Sequence, residues 1–230
     1  MELFKFISIG IGAIGLAAVC VGALKYQLPL QKLRSAREIP LVSLKDTVLN
    51  LRKRSNSRSI GVYCKIVGKV DTNGVPFISP LTRRKVVMYK VIRRKRFGEK
   101  KDIQVQKMPF CLTSGTLKVE VDPTYASVFD LERTFYTFND LEYVLEIGKP
   151  LIIVGEVSYV DHGDYLIVKK PRFGGIFLIT TNDYDVVLRR MNIIGKCWIV
   201  GGSILLVVSL WFGFRWLVLR VGHLFVPIRL

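Results

Sequence analysis

Four cysteines and two histidines are the residues of this 230-residue chain best suited to thiol chemistry or soft-metal ligation, and their spacing suits neither. Cys20, Cys64, Cys111 and Cys197 are far apart in sequence, so no C-x₂-C pair opens a zinc site. Cys64 and Cys111 fall in strand-like runs and read as small core residues, with a disulfide between them left open. His162 sits in Asp161-His-Gly-Asp164. Acid–base or metal chemistry there needs a further partner, and turn propensity already accounts for Asp and Gly. Gly10, Gly12 and Gly15 follow no strand, so they make neither a phosphate loop nor a dinucleotide fingerprint. These residues predict no catalytic site, no cofactor and no metal.

Charge is the chemistry the chain does have. Residues 25–101 hold 21 Lys or Arg against 4 Asp or Glu, a surplus of 17, whereas residues 102–196 hold 10 against 13. The formal +17 is therefore a local property of the first part of the chain's middle region. Its densest stretch is Arg93, Arg94, Lys95 and Arg96, with Lys100 and Lys101 close behind. Such a field attracts anionic lipid headgroups, an acidic protein or nucleic acid. For nucleic acid, Phe97, Tyr63 and Tyr89 would have to supply stacking. A membrane nearby favours lipid or an acidic protein partner over nucleic acid.

The membrane expectation comes from two apolar runs. Leu3–Leu24 is broken only by Lys5, and Ile193–Phe214 only by Lys196. Runs of this length reach roughly 33 Å as helix, enough to cross a hydrocarbon core of about 30 Å. A cleaved signal peptide is the alternative for the first run. Its length, an n-region whose one basic residue is Lys5 and the mediocre site Val21-Gly22-Ala23 argue for an uncleaved anchor. Ala17-Ala18-Val19-Cys20 is a poor lipobox, because Val before the cysteine is too large. In the second run, Trp198, Trp211 and Trp216 suit the two interfaces, and Lys196 and Arg215 can snorkel outward. Gly10, Gly12 and Gly15 then read as helix-packing residues, faced across the bilayer by Gly201 and Gly202.

Between the anchors, Leu41, Leu44, Val48 and Leu51 share one helical face, with Ser43 as a candidate cap. After residue 59 the chain reads as a meander of short strands. Ile60–Val70 ends at the turn Asp71-Thr-Asn-Gly74, and Val86–Ile92 and Ile103–Gln106 flank the basic tip. Phe110–Leu112 and Leu117–Val121 flank Ser114-Gly115. A faint repeat links Cys64-Lys-Ile-Val-Gly-Lys-Val-Asp to Leu151-Ile-Ile-Val-Gly-Glu-Val-Ser, each followed by a turn and a return strand. Glycine inside a strand marks a bulge or sharp coiling, a device of small barrels.

The expected fold is a mainly β domain, small and barrel-like, with two similar hairpin units suggested by the repeat, between two transmembrane α-helices. Its parts are a first span at 3–24, a basic connector with a short amphipathic helix at 25–59, and the β domain at 60–182. A short helix at 183–192 then leads to a second span at 193–214 and a short basic tail at 215–230.

Ser79-Pro-Leu-Thr, Val86-Val-Met-Tyr, Pro109-Phe-Cys-Leu and Ser114-Gly-Thr-Leu-Lys-Val-Glu-Val resemble the central domain of membrane-anchored RING-type ubiquitin ligases of mitochondrial and plastid outer envelopes. Glu146-Ile-Gly-Lys-Pro-Leu-Ile-Ile-Val-Gly-Glu-Val and Leu166-Ile-Val-Lys-Lys-Pro fit the same pattern, and the resemblance covers about residues 60–215. It implies a domain that recognises other proteins in the intermembrane space and is not itself catalytic. One departure is decisive: the family carries a RING finger after the second anchor, whereas here the 16 residues after Phe214 hold His223 and no cysteine.

The expectation is therefore a non-catalytic membrane adaptor or scaffold, in a hetero-complex or oligomer, that binds a protein partner and anionic lipid. A ligase-related protein acting with a RING-bearing partner is the alternative, and a nucleic-acid-binding barrel the further one. Charge flanking the spans favours a cytoplasmic β domain. The resemblance implies the reverse, and carries slightly more weight.

Overall fold

The computed structural model describes residues 2–55, 61–72, 74–93, 102–129, 131–135, 140–161, 163–172 and 174–224. They form two compact units: residues 1–31 with 188–230, and residues 32–187.

The first unit is helical. α1 (Glu2–Val21) runs through a π-helical stretch, Gly22–Gln27, into α2 (Leu28–Ser35). The wide turn has a local cause. Pro29 has no N–H to give, and its ring crowds the carbonyl four residues back. The helix answers with Leu28 N–H bonding five residues back to Ala23 O. The helical run thus extends beyond Leu24, where the apolar run stops. At the other end, α4 (Tyr184–Leu224) is one uninterrupted helix rather than a short helix followed by a separate span. Both Ile9–Ser35 and Tyr184–Val218 are long and apolar enough to cross a membrane.

The second unit is mainly β. α3 (Leu41–Ser55) precedes its long strands. The helix begins directly after Pro40, and Ser43 Oγ bonds back to Pro40 O at 3.2 Å instead of capping. Leu41, Leu44 and Val48 are buried as the periodicity predicts, but Leu51, the last of the stripe, is 39% exposed.

Five strands close a barrel: β2 (Gly61–Asp71), β6 (Phe110–Ser114), β7 (Leu117–Val121), β12 (Tyr165–Lys169) and β11 (Pro150–Val160), which returns to β2. Of the five pairings that close the barrel, β7–β12 alone is parallel. Numbered along the chain, the barrel order is 1-2-3-5-4-1, that of an OB-type barrel. Alternate residues fill it: Cys64, Ile66 and Val70 from β2, Leu151, Ile153 and Val157 from β11, with Val119, Val121, Leu166 and Val168. α3 touches β2, β6, β7 and β11 and adds its buried face to the same core. Each such buried aliphatic side chain contributes about 1.5–3 kcal/mol.

The two halves of the faint repeat are direct partners in this barrel. β2 and β11 pair antiparallel with Ile66 opposite Ile153, its own counterpart in the repeat. A local two-fold axis therefore passes through that pair. The repeated glycines, Gly68 and Gly155, stand at inward-facing positions. A Cβ on Gly68 would meet Leu112 Cδ2 at 2.5 Å, and one on Gly155 would meet Val168 Cγ1 at 2.9 Å. Both glycines make room where long strands coil.

The repeat breaks after its turns. β12 returns on β11, but the chain after Gly74 does not return on β2. It leaves the barrel to form β3 (Phe77–Ile78), β4 (Lys85–Arg93) and β5 (Asp102–Lys107), and β6 then supplies the missing partner of β2. A second excursion, between β7 and β11, supplies β9 (Glu132–Phe135) and β10 (Asp140–Glu146). The excursions meet where β4 pairs with β10, making a second sheet of order β9-β10-β4 with β3 and β5 along the far side of β4. Val87, Met88 and Leu145 tie this sheet to the barrel core, while Val86, Tyr89, Val91 and Val144 form a smaller cluster with Phe77 and Leu81. Short strands complete the main sheet: β1 (Arg37–Glu38) on β2, β13 (Leu178–Thr180) on β11, and β8 (Ser127–Phe129) on β13.

Candidate functional site: basic hairpin, ion pairs and helix hairpin

The basic stretch belongs to the β4–β5 hairpin, whose ladder runs from Met88↔Lys107 to Arg93↔Asp102. Arg93 is exposed at the end of β4. Arg94, Lys95, Arg96, Lys100 and Lys101 lie outside the described residues, as do Phe97 and His162. All six residues of β5 are exposed, including Ile103 and Val105.

The aromatic residues expected to stack on bases do other work. Tyr89 is 4% exposed, meets Phe77 edge-on at 6.1 Å and accepts a hydrogen bond from Gln104 Nε2. Tyr63 is half-buried and donates to Ile176 O at 3.1 Å. Burial pushes its phenol up from the ordinary value. Tyr89 is therefore a buried ring and Tyr63 a half-buried one with its hydroxyl engaged, while Phe97, the third expected stacker, lies outside the described residues.

Two buried carboxylates, unremarked in the sequence, hold turns. Glu142, fully buried in β10, accepts from Leu81 N at 3.1 Å, Thr82 N at 3.0 Å and Thr82 Oγ1 at 2.6 Å. Ser79 Oγ completes the knot, 2.7 Å from Thr82 Oγ1 and accepting from Arg84 N at 3.1 Å. The Ser79-Pro-Leu-Thr motif is thus a turn locked by one carboxylate. Glu156, nearly buried in β11, accepts from Arg172 N at 2.8 Å. A Cβ on Gly61 would strike its side chain at 2.2 Å, so glycine leaves the space it occupies.

The Asp161–Asp164 turn is clamped to α3. Arg52 Nη2 donates to Asp161 Oδ2 at 2.7 Å, and Lys45 Nζ lies 2.8 Å from Asp164 Oδ1. Tyr159 donates to the same Asp164, and Lys45 stands 5.8 Å above its ring. Lys45 foremost, then Tyr159, hold the Asp164 carboxyl below its ordinary range. These partners give the turn's acids a positioning role.

A second ion network lines a surface cavity of about 390 Å³ bordered by Glu132, Glu146, Lys149, Pro150 and Asn182. Arg84 bridges Glu132 at 2.9 Å and Glu146 at 2.5 Å, and Lys149 lies 3.1 Å from Glu132. Lys149 and Arg84 hold the Glu132 carboxyl below its ordinary range.

Cys64 and Cys111 are buried and do not form a disulfide. Cys111 is opposite Asp71, seven residues along β2 from Cys64, roughly 23 Å at about 3.3 Å per residue. Burial pushes the Cys64 thiol up to about 12. Among the described residues no cluster of three metal-capable side chains occurs.

In the helical unit, the expected packing glycines divide. A Cβ on Gly15 would lie 2.8 Å from Gly202 O, one on Gly202 2.6 Å from Gly15 O, and one on Gly12 2.7 Å from Ser209 Oγ. Gly10 and Gly201 have open space instead. Gly22 and Gly195, absent from the expectation, form a further contact, with a Cβ on Gly22 2.9 Å from Gly195 O. Gly195, Gly202 and Ser209 recur every seventh residue, as do Gly15 and Gly22. That heptad of small residues is the signal that marks the contact stripe. The antiparallel register puts Lys25 at the level of Lys196, and Arg215 lies 5.5 Å from the Trp211 ring. Lys196 and Arg215 stand about 28 Å apart along α4 at ~1.5 Å per residue, close to a hydrocarbon core of about 30 Å.

No family model, no curated protein and no solved structure matches this chain.

Proposed function

We propose that this chain is a non-catalytic, two-span membrane adaptor whose β domain binds a protein partner. The observation that carries the reading is the arrangement of the chain: helices long and apolar enough to cross a membrane lie on both sides of a β domain. The resemblance to the central domain of outer-envelope RING-type ligases supports it, and the Glu142-locked turn gives the most compact of the shared motifs a physical purpose. Both buried carboxylates accept hydrogen bonds from backbone N–H groups, which suits structural duty.

On the same resemblance, the protein sits in a mitochondrial or plastid outer membrane, with both termini in the cytosol and the β domain in the intermembrane space. Protease treatment of intact organelles tests this orientation; digestion of the β domain with the outer membrane unbroken overturns it. Purification in mild detergent tests the adaptor reading. Stoichiometric recovery of membrane subunits without a RING protein is the expected result. Recovery of a RING protein instead supports the ligase-related alternative, and a monomer alone overturns both.

Nucleic-acid binding is the second reading, favoured by the OB-type strand order and the basic hairpin. Two of the aromatic residues expected to stack speak less for it, since Tyr89 is buried in the second sheet and Tyr63 in the barrel is half-buried with its hydroxyl engaged.

A further inference from the structure

We propose that the outer edge of β5 receives an extended, acidic segment of a protein partner, which adds a strand to the second sheet. This rests on the adaptor reading and names where and by what chemistry the partner is held.

β5 pairs with β4 along its whole length, and among the described residues its opposite edge has no partner strand. Its six residues are all exposed, and Ile103 and Val105, on one face, are 52% and 47% exposed. An open edge with an apolar pair is a template for another strand. Native edges are usually short or covered, yet this one has the length of an ordinary strand.

Charge selects the occupant. Among the described residues of the β4–β5 hairpin, Lys85, Lys90, Arg93 and Lys107 stand against Asp102, a surplus of three. Arg93 and Lys107 lie exposed at opposite ends of the β4–β5 ladder. A second copy would set the same surplus against itself, so self-pairing is opposed. Nucleic acid matches the sign but not the ladder, because phosphates cannot continue a strand or use Ile103 and Val105. An acidic strand with apolar residues at alternate positions meets all three demands. The backbone supplies hydrogen bonds, Ile103 and Val105 supply side-chain contact, and the cations supply steering.

The test uses the full chain in nanodiscs of neutral lipid. The probe is a short fluorescent peptide of alternating Val and Glu, compared with the same peptide N-methylated at alternate amides. The parent peptide is expected to bind at least about tenfold more tightly than its N-methylated form. The Ile103→Glu/Val105→Glu variant should lose the parent peptide to a similar degree, with hydrogen exchange confirming that β4 still pairs. Equal binding of the two peptides reduces the contact to charge and overturns the proposal. So does tighter binding of a single-stranded oligonucleotide that displaces the peptide. If the double variant still recovers the wild-type membrane partners in detergent, the adaptor reading stands and this site falls. If wild type recovers no partner, the adaptor reading falls on that ground, whatever the peptides do.

Discussion

Every strand of the barrel has a neighbour on both sides, and the turn between β11 and β12 is pinned to α3 by Arg52 and Lys45. Among the described residues β5 of the second sheet has one neighbour, and the chain linking it to β4 carries five Lys or Arg. Both regions are built from paired strands. The difference lies in what completes them. The barrel closes on itself through the β2–β11 pair, so its order is internal. The second sheet depends on two excursions finding each other, and a single buried carboxylate secures the turn beside their junction. One region is built to hold its shape, and the other to present an edge.

Removing Glu142 is the severest way to break that junction. Glu142→Ala strips the acceptor from Leu81 N, Thr82 N and Thr82 Oγ1 inside a site closed to water. The expected loss is about 3 kcal/mol. Glu156→Ala orphans one backbone donor beside a more open turn, and the expected loss is about 1 kcal/mol. Denaturant midpoints of the full chain in detergent, followed by circular dichroism, compare the two. Hydrogen exchange should place the Glu142 effect in β3, β4 and β10 before the barrel. Equal losses would mean that the junction has no special dependence on this carboxylate.

The barrel's corresponding weak points are its inward glycines. Gly68→Val or Gly155→Val forces branches into Leu112 or Val168, at an expected loss of about 2 kcal/mol each. Gly74, which leads out toward the second sheet, is the control. A Cβ there has Met108 Cε as its nearest neighbour, at an ordinary 3.8 Å, so Gly74→Ala should be close to neutral. If Gly68→Val is as mild as Gly74→Ala, the coiling at Gly68 does not depend on an empty position.

Acid should separate the regions more gently. Lys149, then Arg84, depress the Glu132 carboxyl in the folded protein below its ordinary 4.5. A depressed folded value means the stabilisation is fully present above the unfolded value and is lost as pH falls through the folded one. The window therefore lies from about pH 4.5 downward. The barrel has a pair of the same sign in Asp71, depressed from 3.8 chiefly by Lys118. Lys149→Ala should flatten the acid limb of the midpoint-against-pH curve and leave the Asp71 share in place. The effect is small, because these side chains are largely solvated. An unchanged limb would mean that Arg84 alone sets the Glu132 carboxyl.

Much of this was legible from local pattern. The alternation in β2 and β11, the Ser114-Gly115 hairpin and the buried stripe of α3 follow from periodicity and turn chemistry. Gly115 has the positive φ of 63° that such a turn wants. What escaped was non-local. Nothing near Gly74 says that its chain leaves the barrel, because the true partner of β2, at Cys111–Thr113, lies forty residues on. Glu142 reads as one acid among many until β10 lies beside the Ser79 turn. Of the packing glycines, Gly12, Gly15 and Gly202 were legible as small residues in apolar runs. Gly22 and Gly195 needed the seven-residue spacing, and Gly10 and Gly201 share the composition but not the facing side.

The mildest test concerns the basic tip itself. Replacing Arg93, Arg94, Lys95 and Arg96 with Ser should leave stability nearly unchanged, since four basic residues in a row read as a solvated stretch, where substitutions each fall within about 0.5 kcal/mol. Binding should respond instead. Held in a nanodisc of neutral lipid, the wild-type protein is expected to capture vesicles containing phosphatidylserine, each cation near the surface contributing about 1 kcal/mol. The fourfold variant should capture fewer, and the difference should shrink as salt rises past about 0.15 M, where the screening length is about 8 Å. Equal capture by both proteins at low salt removes anionic lipid as the tip's ligand. The charge would then serve the acidic protein segment alone, steering it to β5, and the same variant should slow its association more than it speeds its release. A change confined to release would place the four cations in the bound contact instead of the approach to it.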